Sequence, residues 1–197
     1  MGLTIFYKGS FNLSYDKDAS LSKLIEEVKD IAEIHNWDYH VFETELDHEL
    51  SERNSLDKNI YGITYTPPGC EPICITFLSN GKMCNPFCRD LFKDSIEYEK
   101  NSNVIFSKTQ YAGVEAHKII IDLFRYLSEK YFKEFELKDE SRYWETSNEE
   151  ILRQSFKLYN DMMDQFAEGL ENTPKKENES VEDFVIRVAK MFKLKKE

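Results

Sequence analysis

Apolar residues recur along this chain in two rhythms. Leu21, Leu24, Ile25, Val28, Ile31, Ala32 and His35 fall at helical spacing and predict a helix from about Ser20 to His35. Ala116, Ile120, Leu123, Phe124, Leu127 and Tyr131 predict a longer one, opening at Gly113 and reaching about Phe132. A third stripe, Leu152, Phe156, Tyr159, Met163, Phe166 and Leu170, follows the capping box Ser147-x-x-Glu150. A fourth, Val181, Phe184, Val185, Val188 and Phe192, follows a similar start at Ser180-x-x-Asp183. Alternation with period two predicts strands at residues 3–7, from Trp37 to Leu46, from Asn59 to Thr66 and from Val104 to about Gln110. Ile73 to Asn85 reads as a hairpin. Its turn, Ser79-Asn80-Gly81-Lys82, suits a two-residue type I′ loop that pairs Leu78 with Met83 and Phe77 with Cys84. Pro67-Pro68-Gly69 ends the strand before it, because proline cannot donate to a ladder. Asn12 to Asp18 and Arg89 to Asn103 read as polar loops.

The order is strand, helix, four or five strands, helix, then extra C-terminal helices. Grouped strands argue for an α+β fold: an antiparallel sheet with helices packed on one face. Residues 1–170 form one such domain on this reading, 171–179 a charged linker around Pro174, and 180–197 a C-terminal amphipathic helix. By element order the first two-thirds is similar to the TATA-box-binding-protein-like topology. The stretches Lys108 to Gly113 (KTQYAG), Tyr143 to Thr146 (YWET) and Pro67 to Glu71 (PPGCE) resemble an uncharacterised family of bacterial proteins. That resemblance implies no catalytic residues.

Net charge changes the picture of partners. At -11, the chain lacks the basic surface that phosphate backbones require, so the strand order is not expected to bring nucleic-acid binding. Acids cluster between Glu43 and Asp57 and between Glu134 and Glu150, in what reads as a connector, and a basic protein partner fits such surfaces. No apolar run approaches the roughly 20 residues of a membrane span, and the first residues lack the charged and apolar regions of a signal peptide. Gly2 is not followed by Ser or Thr at position 6, so no myristoylation signal is read. These features point to the cytoplasm.

Four cysteines, Cys70, Cys74, Cys84 and Cys88, have zinc-like spacing. The hairpin register puts Cys74 and Cys84 on opposite faces, so reduced, partly buried thiols are expected and neither a metal nor another cofactor. Phosphate-binding loops, zinc-protease helices and nucleophile elbows are missing from the sequence, which leans away from catalysis. His35 reads as a helix-end residue packing its ring beside Trp37, and His40 and His48 carry no signal.

The segment most suggestive of chemistry runs from Lys108 to His117. Lys108 and Gln110 share a strand face where the apolar run ends, and the helix after Gly113 opens with unpaired N–H groups. Together these suit a small anionic ligand, with His117 one turn further in as an acceptor or base and Glu115 as a competitor for Lys108. Tyr143 and Trp144 are the candidate wall of that site, or anchors that dock the connector on the sheet. Three readings follow: an immunity-type or accessory binding protein, a ligand receptor or enzyme centred on Lys108, Gln110 and His117, and an assembly module that oligomerises through its C-terminal helices.

Overall fold

Alternation in the first strand sets the frame. In the computed structural model, which describes residues 2–13, 17–45, 59–87 and 104–193, Ile5, Tyr7 and Phe11 of β1 (Thr4–Phe11) lie in the core and Lys8 is exposed. The molecule is α+β with antiparallel sheets, but the strands form two sheets of three and not one. β2 (Asp38–Val41), β3 (Tyr61–Thr66) and β4 (Ile73–Phe77) make one in that order. In the other, β1 lies between β5 (Ile105–Lys108) and β6 (Phe132–Asp139).

A seam narrower than a strand joins them. Lys82 bridges to Ser10 of β1 and Met83 to Phe77 of β4. The loop that makes this possible has three residues, not two. Leu78 N–H donates to the Lys82 carbonyl at 2.9 Å, and Gly81 sits at φ 79°. Gly81 in the left-handed region is the signature of a type I turn closed by a bulge, which competes with the type I′ turn for an Asn-Gly pair. The register slips by one: Phe77 faces Met83, and Cys84 N–H bonds the Thr76 carbonyl at 3.0 Å. Cys74 and Cys84 therefore share a face, so the geometric argument that separated them does not hold. Both are buried, Cys70 is half-buried, and Cys88 lies outside the described residues. Among the described residues no three His, Cys, Asp or Glu side chains stand together as metal ligands.

The acidic connector is the second correction. Its first half is β6, paired along β1 from Ile5↔Asp139 to Phe11↔Phe132. Phe135 and Leu137 are half-buried and Asp139 is buried, whereas Glu134, Glu136 and Lys138 are exposed. Charge masks the alternation in sequence, yet it is the ordinary pattern of a strand with one wet face.

Two helices cover the sheets. α1 (Lys17–Ile34) lies on β2 and β3 and ends where Asn36, at φ 53°, lets Trp37 N–H reach back to the Ala32 carbonyl at 2.8 Å. This left-handed cap turns the chain so that Trp37 drops into the core, stacked on Tyr65 with His35 on its outer side. α2 (Gly113–Tyr131) lies on β6 and buries His117, Ile120, Ile121, Leu123, Phe124 and Leu127. A one-turn helix, α3 (Tyr143–Thr146), precedes α4 (Glu149–Asn172) and α5 (Val181–Lys193). The cap of α4 is Asn148, whose side chain accepts from Glu150 N–H at 2.9 Å, while Ser147 adopts φ 51° just before it. The cap at Ser180 is as expected, accepting from Asp183 N–H at 3.0 Å. No helix among the described residues is long and apolar enough to cross a membrane.

Candidate functional site

The strand-to-helix junction that the sequence favours separates its own residues. Ile105, Ser107 and Thr109 face the core, so Lys108 lies on the exposed side with Phe106. His117 is fully buried on the other side. Glu115, the expected partner of Lys108, pairs instead with Arg153 of α4 at 2.8 Å. Gln110 is half-buried, and its Oε1 has no hydrogen-bond partner among the described residues. Lys108 and His117 therefore share no pocket.

What His117 does have is a complete polar shell. The Thr109 hydroxyl lies 2.7 Å from Nδ1, with Ser141 Oγ at 2.9 Å and Asp139 Oδ2 at 3.3 Å from Nε2. A carboxylate only accepts, so Nε2 carries its hydrogen and Nδ1 faces the Thr109 hydroxyl. Asp139 also takes the Ser141 hydroxyl at 2.6 Å, Tyr143 N–H at 2.9 Å and Trp144 N–H at 3.1 Å. Burial pushes the Asp139 carboxyl up, but the hydrogen bond and charge of His117 and the bonds from Ser141 outweigh it and hold it below its usual range.

Thr109, His117 and Asp139 have the order of a hydroxyl–imidazole–carboxylate relay. Access decides against catalysis there. Thr109, His117 and Ser141 are fully buried, and the Phe156 ring of α4 closes over the imidazole edge-on with centroids at 5.5 Å. The cluster ties β5, β6, α2, α3 and α4 together from inside. Tyr143 and Trp144 belong to that tie and anchor the connector: Arg125 donates to both their carbonyls at 2.7 and 3.0 Å, and Trp144 packs edge-on against Phe135. Thr109, Asp139 and Ser141 were missed because β6 was missed. The available signal was the alternation Phe135, Leu137, Asp139, which carries an acid inward where only a buried partner makes it affordable.

Open concave surface lies elsewhere. A groove of about 440 Å³ by the seam is lined by Lys8, Lys82 and Lys133 but also by Glu134 and Glu136, and Lys8 pairs with Glu136 at 2.9 Å. Its charge is mixed. A cleft of about 460 Å³ between α1 and α2 has three acids and no cation in its lining. Helical spacing presents Glu27, Asp30 and Ile31 from α1 and Ile119, Asp122, Leu123 and Tyr126 from α2, i, i+3, i+4 and i+7 residues facing one another. Ile34 continues the α1 stripe and is 70% exposed; Tyr126 is 45% exposed. Lys130 donates to Glu27 at 2.6 Å and also bonds Tyr126, while Tyr131 donates to Glu27 at 2.8 Å, which locks one end of the cleft. Asp122 pairs with Arg125 at 2.8 Å and with Lys118 at 3.5 Å. Asp30 has no cationic partner among the described residues.

No protein-family model, no curated protein and no solved structure matches this chain.

Proposed function

We propose that this is a cytoplasmic binding protein of the immunity or accessory type, which holds a basic protein partner in the cleft between α1 and α2. One observation carries the reading: an apolar floor of Ile31, Ile119 and Leu123 bounded by Glu27, Asp30 and Asp122. An amphipathic helix laid in such a groove buries its apolar residues on the floor and sets lysines or arginines against the rim. The acidic rim and the charge of -11 favour a cationic partner and speed its approach. The acidic stretches most evident in sequence contribute less: Glu43 to Asp57 lies mostly outside the described residues, and Glu134 and Glu136 are flanked by Lys133 and Lys138 on β6.

The test is photo-cross-linking in cells from a reactive residue placed at Tyr126, with one at Val104 on the outer sheet face as control. A protein of basic isoelectric point should be captured from position 126 and not from 104. Capture should fall with added salt and with Asp30→Lys. No adduct from 126, or an adduct indifferent to both salt and Asp30→Lys, overturns the reading.

A further inference from the structure

The α4–α5 hairpin is apolar on more surface than it covers. Leu152, Phe156 and Tyr159, all in the first half of α4, are its buried residues. Beyond Tyr159 the helix continues for 13 residues, to Asn172, with none buried. α5 packs back against this arm; Arg187 fastens it by pairing with Glu179 at 2.8 Å and donating to the Pro174 carbonyl at 3.1 Å. Val188 is buried between the helices and stands apart from the main core. Met163 of α4 and Val181, Val185, Ile186 and Met191 of α5 remain between 36% and 67% exposed. Two helices cannot enclose stripes this wide; bundles of four do.

We propose that a second copy of this chain covers that face, two hairpins closing a four-helix bundle about a two-fold axis. Charge selects this occupant. The free half of α4 carries Asp161, Asp164, Glu168 and Glu171 and no cation; the second half of α5 carries Arg187, Lys190 and Lys193 and no acid. Asp164, Glu168, Glu171 and Lys190 have no ion-pair partner among the described residues. Asp164 and Glu171 lie one position beyond the apolar stripe of α4, and Arg187 one position before that of α5, the flanking places that set pairing between helices. A two-fold axis that lays the α4 of one copy beside the α5 of the other brings acids against bases twice. The contact is about 20 Å long, from 13 residues at 1.5 Å each, and two helices wide. That is at the small end of stable interfaces, so association is expected in the micromolar range.

Sedimentation equilibrium on the full chain over a wide concentration range tests this. A reversible monomer–dimer equilibrium is expected. Val185→Glu should weaken it by at least about tenfold, because a carboxylate would be buried without a partner. Asp164→Lys and Glu171→Lys should each weaken it severalfold. Far-UV circular dichroism of each variant separates lost pairing from lost folding, since all three side chains lie on the surface of the arm. A chain that stays monomeric up to about 1 mM, or a dimer that none of these substitutions weakens, overturns the proposal. Asp30→Lys, in the α1–α2 cleft, should leave the dimer unchanged.

Discussion

His117 and Asp139 show how a histidine on an apolar helix stripe is made tolerable. The ring sits inside the core because a carboxylate and two hydroxyls meet its nitrogens, and removing one member strands the rest in an apolar setting. His117→Ala and Asp139→Asn should each destabilise the fold by about 3 to 5 kcal/mol, the cost of breaking a buried pair from one side. The double variant should lose much less than the sum, as measured by urea unfolding. The pH dependence has a definite sign. Asp139 is held below its usual range in the folded state, so its contribution is fully present above the unfolded aspartate value near 4 and declines as pH falls through the lower folded value. The stability gap between the parent and Asp139→Asn should therefore shrink as pH falls below about 4. Cys70 gives a chemical check on the same scale. Burial, and then the charge of Glu71, push its thiol up to about 12, which leaves almost no thiolate at neutral pH. Alkylation of folded Cys70 by iodoacetamide at pH 8 should be slower than in the unfolded chain by roughly 100-fold or more.

At the scale of elements, periodicity carried the helices and most strands, and failed where two turn chemistries or two kinds of surface compete. The stripe of α1 was legible because five of its apolar positions are buried; Ile31 belongs to the cleft and His35 to the surface. The hairpin slipped because Asn-Gly satisfies both a two-residue and a three-residue loop, and the pairing of Lys82 with Ser10 decides between them. β6 was hidden by its charges, and with it went the inward Asp139, so that His117 looked like half of an open site instead of the centre of a closed one. Gly62 marks another contact that no pattern shows: a Cβ there would stand 2.2 Å from the Ile75 carbonyl oxygen, at φ 113°. Gly62→Ala should cost at least about 2 kcal/mol, read from the denaturation midpoint, because strain and overlap add. α5 behaves in the opposite way, since it packs mainly on α4 and outside the main core. A chain ending at Glu171 should keep its sheet circular dichroism and lose less than about 1 kcal/mol of body stability, the scale of a separable element.

For the whole molecule, the arrangement assigns different surfaces to different tasks. The polar cluster around His117 holds five elements together, the groove by the seam mixes lysines and glutamates, and the cleft between α1 and α2 joins concavity, an apolar floor and a lining of acids. The most direct measurement of that assignment is a two-dimensional amide NMR titration with a synthetic lysine–leucine amphipathic helix. Shift changes should concentrate at Ile31, Ile34, Ile119, Leu123 and Tyr126, and be lost in Asp30→Lys. Changes centred on Phe6 and Phe106 of the outer sheet face, or none at all at saturating peptide, would contradict it.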